Sequence, residues 1–340
     1  MTAFKTTEIE AETETDQSLD RVGWLSPLVK AVVSIALLWL LVRWVGWDNL
    51  VAKFAGLESG PLIAALVCLA IQVPLVAERW RSLYGPLATI SLKFPPMLRI
   101  TYVGLFIGQF MPMVAGDIAR VAMVRQPGLG LGLAAAGVIV DRVIAVFALC
   151  IIGISAALFG GRLVSDDQTR IVLAGFGALI VLGVFGLAVL APGIARLLER
   201  RQALARIGRL VINLHRVIID LRCMIEVTTL SLIVHMLSIC ATFFIAAAMR
   251  VNLSLLDAAL AVPLMLLAAM IPVSFGGWGA REGAAVFILA GAGVAADAAL
   301  LISVLFGLCI GAVSLPGAIL WMGMGRRSPR SGGGNFFKKG

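Results

Sequence analysis

Three pairs of charged residues lie within otherwise apolar stretches of this chain. Asp117 and Arg120 stand three residues apart, whereas Asp141–Arg142 and Arg281–Glu282 are adjacent. Ionisable side chains are costly inside a membrane and mark functional sites there, and guanidinium groups bind phosphate through paired hydrogen bonds. We therefore predict a substrate-binding site in which arginines bind a headgroup phosphate, while carboxylates orient them or engage a cationic headgroup. Its members are Asp117, Arg120, Asp141, Arg142, Arg281 and Glu282.

The alternative interpretation of these charges is that they are buried ion pairs that only fix helix packing. Adjacent residues on a helix point about 100° apart, so neither Asp141–Arg142 nor Arg281–Glu282 is expected to neutralise itself. We expect crossed pairing between the clusters instead. The residues expected to meet in one cavity near mid-membrane are Arg120, Asp141, Arg142, Arg281 and Glu282.

A fourth charged run, Glu78-Arg79-Trp80-Arg81, closes the apolar segment 61–78. Long basic side chains at the end of a membrane span reach toward water, and Trp is enriched at the interface. We interpret this run as snorkelling charges beside an interfacial Trp.

Two apolar stretches carry helix-breaking residues beside the charges. Pro112 precedes Gly116 by four residues, Pro272 precedes Gly276 by four, and Ala-Arg follows a few residues later in both. Non-helical backbone survives in hydrocarbon only where protein or a wet cavity satisfies it. Paired interruptions in two halves indicate the binding site of an inverted-repeat transporter, with chance similarity between Gly- and Pro-containing apolar sequences as the alternative. The predicted structural breaks are Pro112, Gly116, Pro272, Gly276, Gly277 and Gly279.

The composition indicates that these elements lie in a membrane. Of the 340 residues, 60% are hydrophobic and 14% charged, with a mean hydropathy of +1.01. We predict an all-α polytopic integral membrane protein with about 6–8 transmembrane helices, two Pro/Gly-broken re-entrant segments and an inverted repeat. Apolar segments of near-spanning length fall at about 25–45, 61–78, 131–160, 171–192, 227–249 and 297–322, and the broken stretches at about 97–123 and 255–295.

The distribution of basic residues predicts the orientation. The net charge is +9, and Arg and Lys concentrate in loops 79–99 and 193–226 and at the C-terminus. The positive-inside rule places these regions in the cytoplasm. Loop 161–170, where two arginines are offset by two aspartates, is the expected periplasmic loop. Both termini are then cytoplasmic, and the second half of the chain is inverted relative to the first.

Other function classes find little support in the sequence. The five cysteines are spread singly and the two histidines lack an acidic cluster, so we expect neither a metal site nor a disulfide framework. No Walker, nucleophile-elbow or zinc-protease motif occurs, and we expect no cofactor and no catalytic residue. We predict a disordered acidic tail over 1–24, a transmembrane domain over 25–325 and a disordered basic tail over 326–340.

Three motifs, in order, carry a family resemblance. They are Met111-Pro112 with Gly116-Asp117 and Arg120, then Asp141-Arg142, then Ile271-Pro272-Val273-Ser274 through Gly276-Gly277 and Gly279 to Arg281-Glu282-Gly283. Together they resemble the lysylphosphatidylglycerol synthase transmembrane-region family, or flippase-like domain proteins, over about residues 25–325. The resemblance implies two re-entrant segments and movement of aminoacylated phospholipids between leaflets. Long members carry a cytosolic aminoacyl-transferase domain after the membrane part. This chain ends soon after its last predicted span, so we expect no enzyme activity.

The leading hypothesis is an inner-membrane lipid transporter or flippase without its own energy source, moving a phospholipid or related envelope lipid. One alternative is a non-transporting membrane accessory protein for a lipid or envelope biosynthetic enzyme, and another is a membrane-embedded enzyme acting on a lipid headgroup. The expected partners are membrane lipids with an anionic or aminoacylated headgroup, and no nucleic acid. A biosynthetic enzyme partner, a homo-oligomer and the identity of the lipid stay open at this point.

Overall fold

Helices are the regular elements of the computed structural model, which describes residues 35, 39–40, 43, 56–88, 92–111, 113–124, 129–159, 167–199, 204–271 and 277–325. In chain order they are α1 (Ser59–Ala88), α2 (Phe94–Phe110), α3 (Met113–Val124), α4 (Leu131–Phe159), α5 (Asp167–Glu199), α6 (Ala205–Ile219), α7 (Leu221–Ala248), α8 (Leu255–Met270), α9 (Ala280–Ala290) and α10 (Ala296–Gly325). The predicted all-α class is confirmed. The two predicted tails and nearly all of the predicted span 25–45 lie outside the described residues.

Among the described residues, four helices, α1, α4, α7 and α10, are long and apolar enough to cross a membrane. α5 is a fifth candidate, with its parts Arg170–Gly186 and Val189–Leu198 bent by 63°. Pro192 lies inside this helix and explains the bend, because its ring clashes with the carbonyl four residues earlier and removes a helical hydrogen bond. These five helices coincide with predicted spans, but α1 continues to Ala88, well past the predicted end at residue 78.

α1 and α7 pack antiparallel along each other and form the axis of the bundle. At one end the N–H of Glu58 donates to the carbonyl of Ala248 at 2.9 Å. Toward the other end the hydroxyl of Ser82 donates to the carboxylate of Glu226 at 2.6 Å. Contacts at both ends require the two helices to run in opposite directions.

α2 and α3 form one helical hairpin, and α8 and α9 form another. α2 ends where Met111 adopts an extended conformation (φ −132°, ψ 172°), and α8 ends at Ile271 in a similar way (φ −66°, ψ 124°). Each predicted broken stretch therefore contains a helix, a break and a second helix. Entry and exit of these hairpins on one side of the membrane stay a prediction.

The contacts between helices repeat when the two halves are exchanged. α2 packs against α10, and α8 packs against α4; α3 packs against α4, and α9 packs against α10; α1 contacts α2 and α4, and α7 contacts α8 and α10. The exchange of α1 with α7, α2 with α8, α3 with α9 and α4 with α10 thus preserves the packing. Because α1 and α7 are antiparallel, this pattern supports an inverted repeat.

Two large buried apolar clusters of the described residues hold the bundle together, beside a small third one around Leu260. One joins α7, α8, α9 and α10 to the first part of α1, and includes Leu69 and Phe306. The other joins α1, α2, α4, α6 and α7 around Trp80, Tyr84 and Leu214. α6 lies within the predicted loop 193–226, and it enters this second cluster through its apolar face. The two clusters lie on either side of the polar residues described next.

Candidate functional site

A cavity of about 320 Å³ lies among the two hairpins, α1, α7, α4 and α10. Its charged lining residues are Arg79, Asp117, Arg120, Asp141, Arg142 and Arg281, and its uncharged polar ones are Gln72, Thr101, Gln109, His235 and Ser238. Glycine and apolar side chains form the rest of the wall. Ligand pockets are about 300–1,000 Å³, so the cavity lies at the lower end of that range.

Arg79 and Asp141 form a bidentate ion pair in the cavity wall. Nε and Nη2 of Arg79 donate to the two carboxylate oxygens at 2.8 and 3.0 Å, and Nη1 donates to Oγ of Ser231 at 3.2 Å. Arg79 is 5% exposed and Trp80 fully buried, so the prediction of snorkelling charges and an interfacial Trp is wrong for these two residues. The reason is that α1 continues to Ala88. Arg79 and Trp80 therefore lie inside the helix, where it packs against α4 and α7, and not at its end.

Arg142 and Asp117 form a second bidentate pair, between α4 and α3. Nε of Arg142 donates to Oδ2 at 3.3 Å, and Nη2 donates to Oδ1 and Oδ2 at 2.9 and 3.1 Å. Arg142 therefore pairs with a residue of another predicted cluster, as the crossed-pairing prediction expected, whereas Asp141 pairs with Arg79, which lies outside the predicted clusters. The carboxylates of Asp141 and Asp117 thus each accept hydrogen bonds on both oxygens from a single arginine.

Arg120 remains without a hydrogen bond among the described residues. Its Nη1 lies 3.6 Å from Asp117 and 3.8 Å from Asp141, and its buried Nε and Nη2 have no partner there. The residue is 6% exposed, and its guanidinium lies over Trp80, 4.2 Å from the ring centroid. Buried polar groups nearly always have partners, so Nε and Nη2 of Arg120 are unsatisfied donors within the wall of the cavity.

Arg281 and Glu282 pair with each other, and the prediction of partners in other clusters is wrong for this pair. Nε and Nη2 of Arg281 donate to Oε1 of Glu282 at 3.0 and 2.6 Å, and both residues contact Oγ of Ser303 at 3.1 Å. Adjacent positions on a helix point in different directions, but both side chains reach the same hydroxyl, that of Ser303 on α10. Glu282 also accepts the N–H of Gly279 at 2.5 Å, where a carboxylate suits the start of α9. Arg281 lines the cavity, with the fully buried Glu282 beside it.

Glycines allow both hairpins to close tightly. A Cβ on Gly116 would lie 2.5 Å from the carbonyl oxygen of Gly104, and one on Gly277 would lie 3.0 Å from Cβ of Ala269. Gly277 and Gly279 also adopt φ values of +82° and +90°, which favour glycine. Three predicted breaks thus need the absence of a side chain. The other three, Pro112, Pro272 and Gly276, lie outside the described residues.

The two hairpins place their arginines at corresponding positions. Arg120 follows Gly116 by four residues, and Arg281 follows Gly277 by four. Each guanidinium also lies near an indole ring, since Arg281 stands 5.0 Å from the ring centroid of Trp278. The difference lies in their partners: Arg281 is held by a carboxylate of its own hairpin, whereas Arg120 has no hydrogen bond to Asp117 or Asp141.

One part of the cavity wall, on α1 and α7, is polar but uncharged. The hydroxyl of Ser238 donates to Oε1 of Gln72 at 3.3 Å, and Nε2 of His235 lies 3.1 Å from the carbonyl oxygen of Ala145, to which it must donate. Nε2 of Gln72 and Nδ1 of His235 are buried without a partner among the described residues. With the ring neutral, they offer one donor and one acceptor.

Five of the six predicted binding residues line one cavity, and their role in binding stays a prediction. Sequence reasoning did not single out Arg79, Gln72 and His235, which line the same cavity. The signal for Arg79 was that no glycine or turn residue separates segment 61–78 from the run after it, so the helix can continue. Within the described ranges no group of three or more His, Cys, Asp or Glu side chains is placed to hold a metal ion.

A known protein family matches nearly all of the residues that form this helical bundle. The family model described as lysylphosphatidylglycerol synthase TM region matches residues 28–317. The match includes both hairpins and every charged residue of the cavity wall. A search of the curated proteins finds no match to the chain. The chain belongs to the lysylphosphatidylglycerol synthase transmembrane-region family.

Proposed function

We propose that this chain is a flippase-type lipid transporter, which moves the headgroup of a phospholipid or related envelope lipid through the arginine-lined cavity. The observation that carries the proposal is Arg120, a buried cation that lines the cavity with Nε and Nη2 unpartnered among the described residues. The charge of Arg120 is balanced by ion contacts with Asp117 and Asp141 at 3.6 and 3.8 Å, but its two buried N–H groups without acceptors are costly. We propose that ligand binding is the reason why these donors are retained. Membership of a lipid-associated membrane family supports a lipid as the ligand.

The substrate-binding roles follow from the ion pairs. We propose that Arg120, Arg142 and Arg281 face the headgroup, and that Asp117, Asp141 and Glu282 hold the arginines of this wall in place. The bidentate pairs Arg79–Asp141 and Arg142–Asp117 support this assignment, because they fix guanidinium groups of α1 and α4 at the cavity. This arrangement binds and orients a ligand, and we propose transport rather than catalysis.

The inverted packing supports access from both leaflets. The two hairpins occupy equivalent places around the antiparallel α1–α7 pair, so a change that opens the cavity beside one hairpin has a counterpart beside the other. We propose that both hairpins are re-entrant segments and that the lipid passes between them without an energy source of the chain itself. We further propose an inner-membrane location with both termini in the cytoplasm.

Reconstitution tests the proposal. The purified chain is placed in phosphatidylcholine/phosphatidylglycerol vesicles with a trace of phosphatidylglycerol labelled by a fluorophore that dithionite destroys. In empty vesicles dithionite removes only the outer-leaflet signal; with the protein we expect the inner-leaflet signal to be lost as well. Arg250→Ala is the matched control, because this arginine is exposed, pairs with Glu58 at 2.7 Å and does not line the cavity. Absence of exchange for anionic and aminoacylated lipids alike, with a co-purifying biosynthetic enzyme, would favour the accessory role instead.

A further inference from the structure

We infer that a second lipid site lies between α4 and α6, where an acyl chain of an anionic phospholipid occupies an apolar groove and its phosphate binds Arg209 and Arg216. The groove is separate from the cavity between the hairpins, because the two share no lining residue. The site gives part of the arginine-rich loop 193–226 a binding role in addition to the orientation that its charge predicts. It does not depend on the transport proposal.

An open apolar groove of about 750 Å³ separates α6 from the beginning of α4. The wall on α4 consists of small and apolar residues, and the wall on α6 contributes larger ones. They are Gly132, Leu133, Ala135, Ala136 and Ile139 on α4, and Ile207, Leu210 and Ile212 on α6. A Cβ on Gly132 would meet nothing within 4 Å, and Ile139 and Ile207 are exposed. An acyl chain is the part of a lipid that such a surface accommodates.

The groove lies where a span meets the membrane surface. α4 is long and apolar enough to cross a membrane, and its groove residues, 132–139, form about the first two turns of the helix. α6 belongs to the segment that the positive-inside rule predicts to be cytoplasmic. At this boundary the phosphate of a phospholipid lies at the interface, and its acyl chains begin just below it. The charged and apolar parts of the groove therefore follow the order of the parts of a lipid.

Arg209, Asn213 and Arg216 lie on one face of α6 at the groove. Residues three or four positions apart are neighbours on a helix, and the two arginines are about 10 Å apart along its axis. Both are exposed, and neither has an ion pair among the described residues. The next acidic residue, Asp220, accepts the N–H of Cys223 at 3.0 Å. A phosphate between the two guanidinium groups can accept charge-assisted hydrogen bonds from both.

Asn213 gives the groove a polar group that helix packing does not explain. The residue is 9% exposed, and its side-chain amide has no hydrogen-bond partner within the described ranges. Buried polar groups nearly always have partners. The residue lines the groove between the two arginines, where its NH₂ group can donate to a phosphate or ester oxygen of a bound lipid. A ligand with such an oxygen accounts for this amide.

The opposite side of α6 holds these residues in place. Leu214 and Val217 are buried in the apolar cluster around Trp80 of α1. An amphipathic helix that only rests on a bilayer turns its apolar face toward the lipid. In α6 this face packs against the protein, so the arginines stay beside the groove. Packing of this kind makes a defined binding site out of what is otherwise a basic surface.

An anionic phospholipid is the occupant that uses both the groove and the charges. Basic segments at the cytoplasmic surface attract anionic lipids, whereas the ammonium group of phosphatidylcholine is repelled by two arginines. An acidic peptide is the competing occupant, and segment 1–24 of this chain carries six acidic residues. Because that segment is mostly polar, it pairs with the arginines but leaves the apolar walls uncovered.

Photo-cross-linking of the purified full chain in phosphatidylcholine nanodiscs tests this inference. The probes are phosphatidylglycerol and phosphatidylcholine with a diazirine at the same acyl position, and mass spectrometry identifies the labelled peptides. We expect phosphatidylglycerol to label segments 132–139 and 207–216 at least about tenfold more strongly than phosphatidylcholine does. The double variant Arg209→Gln with Arg216→Gln should lose this preference, because each basic residue near the surface contributes to anionic lipid binding.

Two further variants separate the groove from general surface charge. Gly132→Leu keeps all charges and fills the open groove, so it should lower labelling by phosphatidylglycerol as well. Arg222→Gln is the matched control, since this arginine is exposed on the neighbouring helix and does not line the groove; it should label as the unaltered chain does. Phosphatidylglycerol should raise the unfolding temperature of the unaltered chain and of Arg222→Gln, but not that of the double variant.

Three outcomes would overturn the inference: equal labelling of the groove by both lipids, undiminished labelling in the double variant, or an equal loss in Arg222→Gln. Labelling that appears only after removal of residues 1–24 would identify the acidic segment as the occupant instead. Peptides of α3 report on the cavity between the hairpins in the same sample. Their labelling tests the proposed function, so either site can fail without the other.

Discussion

Arg79 holds both carboxylate oxygens of Asp141, a residue 62 positions away in the sequence, and joins α1 to α4 at the cavity. Arg120 lies 3.8 Å from the same carboxylate without a hydrogen bond to it. Two arginines thus meet one carboxylate in different roles. The first forms a bidentate pair that joins two helices, and we propose that the second binds a ligand.

Removal of Arg79 should destabilise the protein. Arg79→Gln leaves the carboxylate of Asp141, which is 1% exposed, without its bidentate partner, and breaking a buried pair costs about 3–5 kcal/mol. We expect the lower end of this range, because Arg120 can move toward the carboxylate. Thermal unfolding in detergent measures the loss, and the double variant Arg79→Met with Asp141→Leu should recover most of it. A single variant as stable as the unaltered chain would show that this pair does not hold α1 to α4.

Removal of Arg120 should reduce leaflet exchange and leave stability nearly unchanged. Arg120→Gln leaves Asp117 and Asp141 with the forks of Arg142 and Arg79, so the unfolding temperature should change little. Leaflet exchange should fall at least about tenfold, because charge-assisted hydrogen bonds to the headgroup are lost. The dithionite assay and thermal unfolding are measured on the same preparation. Lost stability with unaltered exchange would reverse the roles assigned to Arg79 and Arg120.

The second hairpin should depend on one glycine and not on another. Gly277→Ala places a side chain at φ +82°, close to Ala269, and should lower the free energy of unfolding by at least about 1 kcal/mol. Gly283→Ala is the matched control within the same hairpin, since nothing lies within 4 Å of its Cβ position. Thermal unfolding and exchange are measured for both. Equal effects of the two substitutions would contradict the tight closure of α9 on α8.

Much of this architecture was predictable because it depends on local chemistry. Hydropathy identified α1, α4, α5, α7 and α10, and the Pro and Gly residues identified the hairpins. The charged residues of the cavity were visible for the same reason, since a charge within a span such as Asp141 has few structural explanations. Sequence alone thus indicated which residues matter and roughly where they lie.

The partners of these charges were not predictable from local rules. Arg79 looked like a residue at a helix end, and its role appeared only because α1 continues to Ala88 and packs on α7. Arg281 and Glu282 were not expected to pair because they are adjacent on a helix, yet they pair with each other and both contact Ser303 on α10. Gln72 and His235 line the cavity, and no pattern of charge in the sequence singled them out. Tertiary packing determines which side chains meet, and the spacing of residues along one helix does not predict those contacts.

The pair Arg281–Glu282 separates structural support from headgroup binding. Arg281→Ala leaves Glu282 buried with reduced compensation, and should both lower stability and reduce exchange. Arg281→Met with Glu282→Gln removes both charges and should recover stability, because a buried pair can often be replaced by neutral residues. We expect exchange to stay low in the double variant. Exchange regained together with stability would remove Arg281 from the proposed binding residues.

The predicted topology is testable by labelling. In a cysteine-free background, a cysteine at Ser165 should react with an impermeant thiol reagent in intact cells, and one at Gln202 should react only after permeabilisation. The reason is the arginine excess of loop 193–226, which favours the cytoplasm. The reverse pattern would contradict both the orientation and the cytoplasmic termini.

The most direct measurement is a cryo-electron microscopy map of the chain in nanodiscs that contain phosphatidylglycerol. The account predicts headgroup density inside the cavity, with the phosphate beside the guanidinium of Arg120. The Arg120→Gln variant in the same nanodiscs should lack this density while keeping both hairpins. A cavity filled only with water, with lipid headgroups confined to the outer surface of the bundle, would contradict the account.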